Sequence, residues 1–229
     1  MHERMLWRVA RARGAELSAQ VAFVGGCATP MLITDDFSRE NVRFTDDVDV
    51  IVQALGRGGW YRLEKALAAR GFHASIEDDI LCRKRLRDDE PVDLIVDFMP
   101  DDPAILGFSN RWYADALRSA EKRFLPDGTM VRVVAAPYFL ATKFEAYRGR
   151  GEGRPLASTD VGDILDLMDG RSSLVEEVRL APSEISAFVA KEFSALLAHQ
   201  DFMYALQSCV KGSSARERLL LARISALCG

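Results

Sequence analysis

Asp47 and Asp49, in the stretch RFTDDVDVIV over residues 43–52, are the side chains whose type and spacing point most directly to chemistry. On an extended strand, residues two apart project from the same face, so the two carboxylates converge while Val48 enters the core. Two like charges so close repel each other unless something compensates them. A hard divalent cation does so, and Mg²⁺ is usually held by one or two carboxylates with substrate phosphates completing its shell. Taken alone, Asp46 to Asp49 also reads as a solvated turn at a strand edge. Upstream, Gly25-Gly26 stands between an apolar run and a helix-compatible one, where bare backbone N–H groups at a helix N-terminus can cradle a phosphate. Downstream, PVDLIVDFMP offers Asp93 and Asp97, which alternation puts on one strand face.

These residues need elements to position them. Met5, Leu6, Val9, Ala12 and Leu17 recur at helical spacing in the first segment. Gln20 to Val24 reads as a buried strand ended by the glycine pair, Cys27 to Ile33 as helix, Thr34 to Asn41 as a polar stretch, and Val48 to Val52 as a β-prone strand. Gly56 to Gly59 is expected to break the chain before a helix over Trp60 to Arg70. Strands follow at Phe72 to Glu77, Ile80 to Leu86 and Val92 to Phe98, the first two joined by an Asp78-Asp79 turn. A helix over Trp112 to Ala120 and strands near Phe124 and Met130 to Val134, joined by an Asp127-Gly128 turn, close this part. Beyond Pro137 the periodicity is helical at Tyr138 to Arg148, Asp160 to Met168, Ser173 to Arg179, Ser183 to Ala198 and Ala215 to Leu227. The first two of these are separated by the Gly- and Arg-rich loop GRGEGRPLAST.

FVGGCATPMLI followed by RFTDDVDVIV resembles the glycine pair, helix and D-x-D motif of the polymerase-β-like nucleotidyltransferases. Within that superfamily it is similar to the abortive-infection nucleotidyltransferase toxins of AbiEii/AbiGii type. The resemblance implies an α/β (α+β) nucleotidyltransferase fold: a mixed β-sheet flanked by helices over residues 1–136, then a helical domain over 137–229. Gly25 and Gly26 would position the triphosphate of an NTP, and Asp47 and Asp49 would ligate Mg²⁺ or Mn²⁺. Arg43 and Thr45 occupy the places of the Arg and Ser/Thr that precede the family's D-x-D. A third carboxylate on a neighbouring strand shares the metal and helps deprotonate the attacking hydroxyl. Asp93, in its V-D-L-I context, is the expected one, with Asp97 the alternative.

PYFLATKFEAYRGRGEGRPLASTDVGDILDL resembles the toxin family's K-h-x-A segment followed by K/R-D-x-x-D-h. Lys143 matches the lysine and Asp160 and Asp163 the two acids, while Thr159 departs from the basic residue usual there. A helix-borne lysine can neutralise phosphate charge. Asp160 could pair with Lys143, take the proton of an incoming hydroxyl, or cap its helix; Asp163 and Asp166 are expected to face solvent. The implied activity is transfer of a nucleoside monophosphate from NTP to a hydroxyl of an RNA such as tRNA, or of a protein, with a cognate antitoxin protein as a partner. A catalytically silent nucleotide- or partner-binding module and a small-molecule (aminoglycoside-type) nucleotidyltransferase are the alternatives.

Composition narrows the field. In 229 residues, 48% are hydrophobic and 28% charged, the balance of a globular chain, and the net charge of -4 gives no general attraction to nucleic acid. Two basic clusters, Arg83-Lys84-Arg85-Arg87 and Arg148-Arg150-Arg154, would attract a polyanion if they flank a cleft, and otherwise form solvated surface. The scattered Cys27, Cys82, Cys209 and Cys228 fit neither a zinc site nor a disulfide framework. Without an apolar leader or a run of ~20 apolar residues, no membrane association and a cytoplasmic location are expected.

Overall fold

The computed structural model describes residues 1–54, 56–76, 78, 80–107, 109–150 and 153–229. They form two compact units, residues 1–28 with 44–135, and residues 29–43 with 136–229. In chain order the elements are α1 (His2–Arg13), β1 (Val21–Val24), α2 (Gly25–Leu32), α3 (Asp36–Glu40), β2 (Asp47–Val52), α4 (Gly56–Ala68) and β3 (Phe72–His73). There follow β4 (Arg83–Leu86), β5 (Leu94–Pro100), α5 (Pro103–Leu106), α6 (Tyr113–Arg118), β6 (Glu121–Phe124) and β7 (Met130–Val133). The remainder is helical: α7 (Ala136–Gly149), α8 (Thr159–Gly170), α9 (Leu174–Leu180), α10 (Ser183–Leu197), α11 (Phe202–Cys209) and α12 (Ser214–Cys228).

The first unit is built on a mixed sheet, as expected, with strand order β3-β4-β5-β2-β1-β7-β6. β2 runs parallel to β5 and β1 parallel to β7, while the other neighbours are antiparallel. The central strands β1, β2 and β5 are Val-, Ile- and Phe-rich because both of their faces are covered, and all four residues of β1 are buried. Phe98 of β5 meets Phe72 edge to face at 5.2 Å, tying the short β3 to the sheet centre. α1 turns Met5, Leu6 and Val9 inward and stops at Gly14, whose φ of 67° is open to glycine at little cost.

Several expected boundaries move. Gly56, Gly58 and Gly59 do not break the chain: they form the first turn of α4, where helix propensity counts least and Gly56 takes a positive φ. β3 and β4 are shorter than the strands expected at Phe72 to Glu77 and Ile80 to Leu86, β5 begins and ends two residues later than expected, and the Asp78 carboxylate accepts from Arg85 at 2.9 Å. Glu77 and Asp79, the end of the expected strand and half of the expected Asp78-Asp79 turn, lie outside the described residues, as do Gly151 and Glu152 of the Gly- and Arg-rich loop.

In the second unit α7 buries nearly its whole first half, and Phe144 packs edge to face on Phe193 of α10 at 4.9 Å. Residues 29–43 belong to this unit, not to an N-terminal domain of residues 1–136. The physical reason lies at Gly170: its carbonyl accepts from the N–H groups of Thr34 and Asp35, each at 3.0 Å. A Cβ there would come within 2.6 Å of Ile33 and 2.9 Å of Ser38. The polar stretch is in part helical, since Asp35 caps α3 by accepting from the Ser38 N–H at 2.8 Å.

Candidate metal centre and a buried ion network

In the first unit β2 supplies Asp47 and Asp49 on one face, and the parallel pairing of β2 with β5 sets Asp97 directly beside Asp49. One carboxylate oxygen from each of Asp47, Asp49 and Asp97 lies within 4.8 Å of the others. A Mg²⁺ ion with bonds of ~2.1 Å holds two ligands at most about 4.2 Å apart, so small side-chain rotations would close this trio around one ion. The donor set, all hard oxygen, suits Mg²⁺ or Mn²⁺.

Gly25 makes the convergence sterically feasible. β1 ends at Val24, which pairs with Asp49, and Gly25 follows with φ of 72°. A Cβ at Gly25 would stand 1.8 Å from the Asp49 Oδ2 and 2.6 Å from its carboxyl carbon. The helix α2 therefore starts at the glycine itself, not after the glycine pair, and Gly26 is buried in the same turn. Thr45, buried, donates from Oγ1 to the Asp47 Oδ1 and fixes that carboxylate from the loop side. Cys27 is buried; burial first, then the charges of Asp49 and Asp47, push its thiol far above its ordinary range.

Asp93, the expected third carboxylate, is not in the trio. Alternation gives a strand's face and not its register, and four residues at ~3.3 Å per residue put about 13 Å of chain between Asp93 and Asp97. Asp93 precedes β5 and pairs with Arg87 at 3.2 Å and His73 at 3.4 Å. Arg87, then His73 and Arg85, hold its carboxyl below the usual range. The basic run that holds Arg87 is likewise spent on acids: Lys84 meets Glu64 at 3.0 Å and Arg85 meets Asp78 at 2.9 Å. Arg83 grips Asp97 through two hydrogen bonds, Nε to Oδ1 at 2.9 Å and Nη2 to Oδ2 at 2.8 Å. Those bonds, with attraction from Asp97, Asp47 and Asp78, outweigh burial and hold Arg83 firmly charged.

The second unit gathers a different set. Lys143, on the buried half of α7, reaches Asp160 at 3.1 Å and Asp163 at 2.6 Å on α8. Arg43 binds both oxygens of Asp163 at 2.9 and 3.0 Å, and Arg150 pairs with Asp160. Asp163 is wholly buried, against the expectation that it faces solvent, because two cations from other segments converge on it. Asp166 is also largely withdrawn: burial pushes its carboxyl up to about 6, and the Cys209 thiol is its hydrogen-bond donor at 3.5 Å. The α8 cap is Ser158, whose Oγ accepts from Val161, which leaves Asp160 to the ion network. Asp160 does pair with Lys143. The sequence marks Arg83 and Arg150 only as members of basic clusters; their acid partners and the burial of Asp163 depend on how the chain folds.

No protein-family model matches the chain, and no curated protein does. Solved structures that resemble it include the crystal structure of an antigenic nucleotidyltransferase-like protein from Paracoccidioides brasiliensis. That match extends over 96% of this chain and 92% of that one, at 20% identity and a TM-score of 0.45. At that distance the likeness says nothing of what this chain does.

Proposed function

We propose that the chain is a divalent-metal-dependent nucleotidyltransferase, moving a nucleoside monophosphate from NTP to an acceptor hydroxyl with release of pyrophosphate. The observation that carries this reading is the convergence of Asp47, Asp49 and Asp97 beside a glycine whose missing side chain leaves room for Asp49. A bound Mg²⁺ or Mn²⁺ would supply charge to stabilise the transferring phosphoryl group. The chain's own part is to bind and orient. Asp47 and Asp49 hold the ion, Thr45 keeps Asp47 turned toward it, and the backbone N–H groups at Gly25-Gly26, at the positive end of α2, orient the triphosphate. Asp97 is the third ligand and the carboxylate nearest to serve as base for the acceptor hydroxyl. The motif resemblance alone assigns Lys143 and Arg43 to the nucleotide; both side chains are engaged with Asp160 and Asp163 in the second unit.

The acceptor in this reading is an RNA such as tRNA or a protein, and a cognate antitoxin would be a natural partner. The test is incubation of the full chain with each labelled NTP, Mg²⁺ and either total tRNA or cell lysate. Label should enter a macromolecule, and Asp47→Asn plus Asp49→Asn should reduce transfer at least ~100-fold. No transfer from any NTP, or transfer that survives the double substitution, would overturn the proposal.

A further inference from the structure

Arg83 holds a different place from its neighbours in the basic run of β4. Lys84, Arg85 and Arg87 meet acids outside the carboxylate trio, whereas Arg83 sits opposite Asp97 in the β4–β5 register and binds both of its oxygens. The pair is well shielded, with the Asp97 side chain 11% exposed and that of Arg83 23%, so water and salt screen it weakly. The two guanidinium–carboxylate hydrogen bonds take one in-plane lone pair on each Asp97 oxygen, leaving a metal ion only the remaining one on each. They also place a positive charge where a second cation must come.

We propose that Arg83 is a resident counter-ion that competes with the divalent cation for Asp97. A metal ion entering the trio draws on the same Asp97 oxygens and meets the guanidinium charge at short range, so the bare protein binds the ion weakly and binding loosens the Arg83 grip. The displaced guanidinium is then a cation without its carboxylate beside the ion, suited to a phosphate oxygen. Metal and triphosphate binding are thereby coupled through one side chain. This rests on the metal-centre reading above, and adds to it the residue that sets metal affinity.

The test is titration of the metal-free, full-length protein with Mn²⁺, read by calorimetry or by electron paramagnetic resonance of the unbound ion, without nucleotide. Arg83→Gln should bind Mn²⁺ about tenfold more tightly than the wild type, since one opposing charge is removed at short range. Arg83→Lys, which keeps the charge but loses the two-pronged grip, should fall between them. On the unsubstituted protein, ¹⁵N-labelled at arginine, Mg²⁺ should shift the Arg83 Nε–Hε resonance as its bond to Asp97 is lost. Arg83→Gln affinity equal to or weaker than wild type, or an unmoved Arg83 resonance at saturating Mg²⁺, overturns the counter-ion role while leaving the metal centre standing. If instead neither the wild type nor Arg83→Gln takes up Mn²⁺, or Asp47→Asn plus Asp49→Asn binds it equally well, the metal centre itself fails and the counter-ion role with it.

Discussion

At the scale of single residues, Gly25 is the position where sequence and site are most tightly joined. Any side chain there meets two penalties: a φ of 72°, and a Cβ 1.8 Å from the Asp49 carboxylate. Gly25→Ala should lower stability by about 1–2 kcal/mol from the left-handed backbone alone, and more from displacing Asp49. It should also abolish Mn²⁺ binding; a variant that binds Mn²⁺ normally would contradict the geometry. The glycine pair and the D-x-D were legible because local spacing alone brings each into register. The choice between Asp93 and Asp97 was not, since alternation gives a strand's face and only the pairing with β2 gives its register. Asp97→Asn should therefore weaken Mn²⁺ binding, and Asp93→Asn should not.

At the scale of elements, α8 shows how acids mislead. Asp160, Asp163 and Asp166 follow one another three residues apart, a spacing that in a surface helix forms a solvated stripe. Here the stripe turns inward because Arg43, Lys143 and Arg150 come to meet it from other segments. Removing one partner leaves an uncompensated buried charge, so Asp163→Ala should cost about 3–5 kcal/mol in denaturant unfolding; a loss below about 1 kcal/mol would mean that water reaches the network. Asp166 makes a separate prediction. Its carboxyl is raised to about 6, so between pH 4 and 6 the folded protein holds this proton more tightly than the unfolded chain, and stability falls as pH rises through that window. Asp166→Asn should raise Tm at pH 7.5 and leave it nearly unchanged at pH 4. A Tm gain equal at both values would show that the effect is not protonation. Helix α3 escaped the periodicity reading because five residues are too few to show a period, and α11 was not read although Phe202, Ala205 and Leu206 fall at helical spacing. Even so, the Asp35 cap three residues before Ser38 was a usable start signal.

At the scale of the whole molecule, composition spoke to the type of chain and the sequence order to the change from sheet to helices near Ala136. What it did not reveal is that residues 29–43 leave the sheet-bearing unit, because the close fit of Gly170 to Ile33 and Ser38 joins segments more than 130 residues apart. The basic run at β4 finds acid partners: Arg83, Lys84, Arg85 and Arg87 pair with Asp97, Glu64, Asp78 and Asp93, and the Arg87 side chain stays exposed. Among the described residues no helix is long and apolar enough to cross a membrane. The central claim is that three carboxylates of the sheet hold the ion that carries a nucleotide. It is tested most directly by anomalous diffraction from crystals of the full chain grown with Mn²⁺ and a nonhydrolysable NTP. A Mn²⁺ peak bonded to Asp47, Asp49 and Asp97 and to the nucleotide's phosphates is the predicted result; nucleotide and Mn²⁺ bound elsewhere, with the trio still without metal, would contradict it.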